Sequence, residues 1–236
     1  MSFPKTVIAA AALFTLSGCH SGSAPAPEST PRPEWALLSR RLTGESDEVR
    51  RTALRELAGL PHARELLRAG IDSRDPSERA LAWDAVVALE WKDFFKDALA
   101  RIDEDPSGLP ILTAVALAED EQKHLVREAI QSWLIPVPAD SPGGPRSLIA
   151  LETWVRLRGR LDRPQWKAWH DKGSIAHRWA ALGALRVQLL RDGIAADLDS
   201  LRVFLRSSNP ALVRRAQIIA SELTPAAQKK LAEDIK

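Results

Sequence analysis

Apolar residues recur every three to four positions along most of the chain after residue 34. This spacing places them on one side of an α-helix, whereas a strand with one buried face would show strict alternation. Runs of β-branched residues are missing, tyrosine is absent, and there are only 12 glycines among 236 residues. The pattern therefore predicts an all-α fold.

Helix-start signals divide the region 34–236 at fairly even intervals. Asp75-Pro76-Ser77-Glu78 combines an N-cap residue, a proline in the first turn and a capping-box glutamate. The same analysis predicts starts at residues 46, 75, 105, 141, 174 and 209, with partner helices near 34–42, 61–71, 91–102, 119–134, 163–172 and 194–206. Neighbouring starts are 29 (46 to 75) to 36 (105 to 141) residues apart. Periods in this range are typical of helical solenoids.

Four of the predicted helices share a motif in which a cap is followed by an arginine and then by a small residue. Arg50 with Ala53, and Arg79 with Ala82, show the same step of three. The motif resembles the short bacterial HEAT-like repeat, Asp-Pro-x-Val-Arg-x-x-Ala-x-x-x-Leu. The resemblance implies an α-solenoid of about six helix pairs with a ladder of arginines and cap carboxylates, namely Asp47, Arg50, Asp75, Arg79, Arg178 and Arg214. The alternative is that these arginines bind an anionic ligand.

The N-terminus has the features of a secretory signal. Lys5 precedes an uncharged apolar run over residues 7–16, which is too short to span a bilayer. The run ends in Leu16-Ser17-Gly18-Cys19, which contains the only cysteine, and this ending resembles the lipobox of bacterial lipoproteins. The resemblance implies that residues 1–18 are a cleaved signal peptide and that Cys19 is lipidated. An ordinary cleavage site beside a chance thiol is the alternative.

Two neighbouring features extend this interpretation. His20 stands where an aspartate would resemble an inner-membrane retention signal, so in a host with two membranes an outer-membrane location facing the periplasm is favoured. Residues 20–33 contain four prolines and no large apolar side chain. We therefore expect residues 19–33 to form an extended, lipidated tether to a helical-repeat domain at 34–236. The net charge of only +2, with acids and bases intermixed, argues against a nucleic-acid partner.

The sequence contains no recognisable catalytic or metal-binding motif. His170 and His177 are the only histidines close together, and Gly173 interrupts the helix between them. A glycine-rich phosphate loop, a Gly-x-Ser-x-Gly elbow and a His-Glu-x-x-His pair are all missing. We therefore expect no metal, no cofactor and no enzymatic activity.

Eight tryptophans are unusual for a chain of this size. Trp83, Trp154 and Trp179 occupy apolar helix positions and are predicted to be core residues. Trp166, Trp169 and His170 are a candidate binding patch, because exposed tryptophans often anchor protein interfaces; packing between repeats is the plainer alternative. The proline- and glycine-rich segment 134–146 is interpreted as a degenerate repeat boundary in preference to a binding loop.

These observations predict a membrane-anchored, non-catalytic scaffold that binds a protein or peptide, whose identity the sequence does not reveal. The alternative is a small-molecule or cofactor-handling protein, since some short HEAT-like proteins (lyase-type relatives) act on tetrapyrroles. No residue of this chain is peculiar to that activity.

Overall fold

The computed structural model of the chain describes residues 33–44, 46–137, 144–192 and 198–233. The predicted signal peptide, the lipidation at Cys19 and almost all of the tether lie outside the described residues. Within the described ranges the chain forms α-helices and short 3-10 turns and contains no strand. The all-α prediction is confirmed.

Thirteen α-helices occur in the described part of the chain. They are α1 (Pro33–Leu42), α2 (Asp47–Gly59), α3 (Ala63–Ile71), α4 (Pro76–Ala88), α5 (Phe95–Ala100), α6 (Leu109–Leu117), α7 (Lys123–Ile130), α8 (Gly144–Arg156), α9 (Arg163–Lys172), α10 (Ile175–Asp192), α11 (Leu198–Leu205), α12 (Pro210–Glu222) and α13 (Pro225–Glu233).

Local capping explains why several helices begin where the sequence predicts. The Asp75 carboxylate accepts a hydrogen bond from the backbone N–H of Ser77 at 2.8 Å, and Pro76 opens α4. Asn209 caps α12 in the same way, accepting from Ala211 N at 3.0 Å. These bonds satisfy backbone donors that have no partner inside the helix.

The predicted start at residue 105 is wrong by three residues, because the residue that directly precedes α6 is Gly108. Asp105 accepts from the backbone N–H of Ser107 at 2.9 Å, but this bond closes a turn and α6 begins only at Leu109. Gly108 adopts φ = 77°, which takes the chain out of the helical region before α6. A Cβ atom at this glycine would lie 2.7 Å from Cδ1 of Ile149, so the close approach to α8 also requires glycine.

The helices divide between two compact units, Met1–Glu90 and Trp91–Lys236. In the first unit, α3 packs along α4, and α1 contacts both α2 and α4. Its buried side chains include Trp35 and Trp83, so the prediction of a core position for Trp83 is confirmed. Gly70 lets these helices approach closely, because a Cβ there would lie 2.8 Å from the Trp35 ring.

In the second unit, neighbouring helices contact each other in a regular way. Helix α8 packs along α10, which also contacts α12, while α9 contacts α11 and α11 contacts α13. The two sets are joined through the pairs α9–α10 and α11–α12. A continuous apolar core, whose largest side chains are Trp166, Trp169 and Phe204, lies among these helices.

The start of α8 is held by a buried arginine. Arg146 Nη1 donates to the carbonyl oxygens of Ile102 at 2.9 Å and Asp103 at 2.6 Å, and its guanidinium carbon lies 3.3 Å from the centroid of the Trp133 ring. Trp133 Nε1 in turn donates to the Asp103 carboxylate at 2.7 Å. These contacts fix the two ends of the segment 134–146, of which residues 138–143 lie outside the described ranges.

Candidate interaction surface on helix α10

The predicted binding patch on α9 is wrong, because its two tryptophans are core residues. Trp166 and Trp169 are both 0% exposed. Trp169 stacks on the imidazole of His177, with ring centroids 5.6 Å apart. Their spacing of three places both rings on one face of α9, and that face packs into the core between α9, α10 and α11. Packing therefore accounts for these residues.

His170, the third residue of that patch, is mostly enclosed. Its ring packs edge-on against Phe204 with centroids 5.4 Å apart. Nδ1 lies 2.8 Å from the carboxylate of Asp171, which also pairs with Lys167. The hydrogen bonds from His170 and then Lys167 lower the pKa of Asp171. The group is a surface ion-pair network at the end of α9.

Half-buried Ser174 and buried His177 form a hydrogen-bonded pair at the start of α10. The Ser174 hydroxyl lies 2.8 Å from His177 Nδ1. Burial lowers the pKa of His177, so that its ring stays neutral around pH 7. The imidazole is 0% exposed and stacked on Trp169. A nucleophile–base pair would need an approach for substrate, and here the imidazole is fully buried while Ser174 is half-buried.

The arginines of the repeat motif bond to the loops that precede their own helices. Arg178 Nε donates to the carbonyl of Gly173 at 3.1 Å. Arg79 Nη1 donates to the carbonyls of Ser73 at 2.9 Å and Arg74 at 3.1 Å. An arginine one turn into a helix thus orders the chain entering it.

The predicted ladder of cap carboxylates is wrong at several positions. Within the described ranges, the side chains of Asp47, Arg50 and Arg214 are exposed and make no hydrogen bond or ion pair, and Arg178 bonds only to a carbonyl. Arg50 instead acts on Asp84 of α4, whose pKa is raised by burial and partly lowered again by the Arg50 charge.

Helix α10 exposes the most extended apolar surface among the described helices. Ile175, Trp179, Val187 and Leu190 are each between 41% and 49% exposed. At 3.6 residues per turn, they lie within an arc of about 120° on one side of this 18-residue helix. Isolated exposed apolar residues are ordinary, but four of them on one side of a single helix, with Arg186 lying among them, form a candidate interaction surface.

Small residues separate the bulky ones along this stripe. Ala176 and Gly183 are exposed and Ala180 is half-buried. A Cβ atom at Gly183 would meet nothing within 4 Å. Trp179 and Val187 project beside these small residues. The backbone of a partner helix could therefore approach α10 closely at the small positions.

The charged residues of α10 itself are mainly basic. Helix α10 contains no acidic residue before Asp192, its last. Arg186 on the exposed side pairs with Glu222 of α12, which raises the pKa of the arginine. We refer below to the exposed side of α10, with Ile175, Trp179, Val187 and Leu190, as the α10 face.

The sequence analysis predicted a core position for Trp179, and this prediction is wrong. Trp179 occupies a helix position with the apolar spacing of a core residue, but its side chain is 41% exposed. The exposed arc of α10 also holds Ile175 and Val187, so the helix is apolar on more than one side. Apolar residues on a second side of α10, beyond the side that packs in the core, were the signal that could have indicated an exposed apolar surface.

No helix among the described residues is long and apolar enough to cross a membrane. The same ranges contain no cluster of three or more histidine, cysteine, aspartate or glutamate side chains that could hold a metal ion.

Comparison of the chain with models of known protein families gives no match, and no curated protein or solved structure matches it.

Proposed function

We propose that the protein is a lipid-anchored lipoprotein of the bacterial envelope whose helical domain is a non-catalytic, HEAT-like scaffold for a protein partner. The lipobox-like ending at Cys19 and the tether at 19–33 support the anchor. The repeated Arg-x-x-Ala motif supports the repeat assignment. The repeat assignment is also supported by the contacts of α10 with α8 and α12, and by those of α11 with α9 and α13.

The observation that carries the scaffold proposal is the α10 face. Burying four bulky side chains that are nearly half exposed would contribute several kcal/mol, at about 25 cal/mol for each Å² of apolar surface removed from water. Trp179 lies inside the stripe and has the character of an interface anchor, because a large rigid ring gains much contact area at little entropic cost. A partner that packs on this face would use Trp179 as its central contact.

The scaffold proposal can be tested by site-specific photo-crosslinking in cells that make the protein. A photo-reactive residue at Trp179 should give a discrete, recurrent adduct, and Val187→Ser together with Leu190→Ser should abolish it. The matched control is the same probe at Leu37, an exposed apolar residue of α1. Equal adducts at both positions, or none at Trp179, would contradict the proposal.

The anchor is tested separately. Cys19→Ala should leave the protein unprocessed or release it from the membrane fraction, and globomycin should cause an unprocessed precursor of the wild type to accumulate. A Cys19→Ala protein that stays in the membrane fraction with a mature N-terminus would contradict the lipoprotein assignment. It would leave the scaffold proposal unaffected.

A further inference from the structure

The exposed positions of α10 are arranged symmetrically about Gly183. Trp179 and Val187 lie four residues before and after this glycine, and Ala176 and Leu190 lie seven residues before and after it. All five residues are exposed. At 3.6 residues per turn, they fall within about 40° on either side of one line along the helix. The α10 face is therefore centred on a residue without a side chain.

A face with this symmetry can pair with a second copy of itself. In a two-fold dimer the same surface meets itself, and two helices that cross the axis run antiparallel. A residue that follows Gly183 then lies level with one that precedes it in the other copy. Leu190 meets Ala176 of the second copy, and Val187 meets Ala180 of the second copy. Large side chains thus lie against small ones, as close helix packing requires.

Arg186 lies within the exposed arc of α10 and is compatible with this pairing. Its Nε donates a hydrogen bond to the carboxylate of Glu222 on α12, so its charge is balanced within its own copy. Arg186 follows Gly183 by three residues and lies on the same edge of the face as Trp179. In the antiparallel pair, its guanidinium would therefore lie beside the Trp179 ring of the second copy. A guanidinium that packs on an indole ring makes a favourable cation–π contact.

The size of the face also suits self-association. The four bulky side chains of the α10 face and the residues between them would bury roughly 500 Å² on each copy, or about 1,000 Å² in total. This area is near the lower bound for a specific interface and predicts a weak dimer. Two copies anchored in one membrane would meet at a much higher effective concentration than two free chains, which favours a weak dimer there.

We propose that the α10 face joins two copies of this chain in an antiparallel, two-fold dimer with Gly183 at the axis. The proposal rests on the proposed function and names the protein partner as a second copy. Packed helices have axes about 8–10 Å apart, and Cα atoms lie about 2.3 Å from each axis. The two Gly183 Cα atoms would therefore be about 4–5 Å apart, whereas the two Leu190 Cα atoms would be about 20 Å apart.

The test is cysteine cross-linking in membranes of cells that make the full chain. A Cβ atom at Gly183 would meet nothing within 4 Å, so Gly183→Cys should fold normally. A disulfide forms only when the two Cα atoms lie within about 7 Å of each other. With an added oxidant, Gly183→Cys should give a species of twice the chain mass in which mass spectrometry finds this chain alone. Ala176→Cys and Leu190→Cys should each give about a tenth of that yield or less.

A mixture of two variants tests the antiparallel direction. Ala180→Cys and Val187→Cys chains made in the same cells should cross-link with each other. Neither variant made alone should do so, because two copies of one such residue would lie about 10 Å apart or more. The wild type is the background control, since Cys19 is its only cysteine. It should give no species of twice the mass.

A pair of matched substitutions tests whether the cross-link depends on the α10 face. Val187→Asp, added to Gly183→Cys, places a charge in the apolar contact and should lower the yield about tenfold. Leu125→Asp, an equivalent change at an exposed residue of α7, should leave the yield unchanged. Purified chains carrying either change should keep the circular dichroism spectrum of Gly183→Cys, so that a loss of cross-linking is not a loss of folding.

The other outcomes separate this proposal from the proposed function. Equal cross-linking at positions 176, 183 and 190 would show a parallel or unspecific contact and would overturn the dimer. An adduct between Gly183→Cys and a different protein would overturn the dimer and support the scaffold function. The dimer is also wrong if Gly183→Cys gives no adduct while a photo-reactive residue at Trp179 does. If neither position gives an adduct, both proposals are wrong.

Discussion

The side chain of Gln188 satisfies both backbone polar groups of Leu161. Its Oε1 accepts from Leu161 N at 2.9 Å and its Nε2 donates to Leu161 O at 3.0 Å, and both residues are nearly fully buried. A buried N–H or C=O without a partner is costly, so a loop can enter the core only where such partners exist. One glutamine on α10 therefore fixes the loop that links α8 to α9.

Replacing this glutamine should cost the protein much of its stability. Gln188→Ala leaves two buried backbone groups without partners and should lower the free energy of unfolding by about 3 kcal/mol. Urea unfolding followed by circular dichroism measures the change. Gln217→Ala, at an exposed position of α12, is the matched control and should shift the free energy by less than about 0.5 kcal/mol. Equal effects of the two substitutions would show that the hydrogen bonds between Gln188 and Leu161 contribute little to the free energy of unfolding.

Two glycines of the second unit should respond to alanine with opposite signs. A Cβ at Gly159 would lie 2.4 Å from the Trp154 ring, so Gly159→Ala should destabilise the protein by about 2 kcal/mol. Gly183 lies within α10 with open space around it, so Gly183→Ala should stabilise the protein by about 0.5–1 kcal/mol. The same unfolding measurement tests both. An unchanged free energy of unfolding in Gly159→Ala would mean that the turn accommodates the added Cβ atom.

Substitution of the tryptophans on α9 and α10 should distinguish a residue that packs in the core from one that is available for binding. Trp169→Ala removes a fully buried ring and should lower the free energy of unfolding by about 3–5 kcal/mol. Trp179→Ala removes a ring that is 41% exposed, so its cost should stay below about 1.5 kcal/mol. Thermal and urea unfolding distinguish the two. A loss at Trp179 as large as that at Trp169 would place its ring in the core and remove the basis of the α10 face.

His177 should make the protein less stable as the solution becomes acidic. Burial lowers its pKa from the usual 6.5, so the unfolded chain binds a proton at this site more readily than the folded protein does. The stabilisation is complete above the unfolded pKa and is lost as the pH falls below it, from about pH 7 to about pH 5. His177→Gln should therefore flatten this part of the curve of unfolding free energy against pH.

The control for that experiment is Gln217→Ala, which replaces an exposed side chain of α12 that carries no titratable group. It should leave the slope between about pH 7 and about pH 5 close to that of the wild type. A slope that His177→Gln does not change, or that both variants change equally, would contradict the assignment to the buried ring.

The predicted helix starts at residues 75 and 209 are confirmed because capping is a local property. Asp75 bonds a residue two positions on, and Asn209 does the same, so the few residues around each cap contain the whole interaction. The same inference from a local cap places the start of α6 too early. The Asp105 cap is local and present, but α6 begins only after Gly108, where the chain has positive φ and lies against Ile149 of α8, a residue distant in the sequence.

Only the tertiary structure decided which tryptophans form the core and which form a surface. Trp169 and Trp179 both lie on helices at apolar positions, and periodicity treats them alike. Helix α11 packs against α9 and closes over Trp169, whereas the contacts of α8 and α12 with α10 leave Trp179 uncovered. Hydrophobic spacing shows that a face is apolar, but burial depends on a neighbouring helix, which is set by contacts distant in the chain.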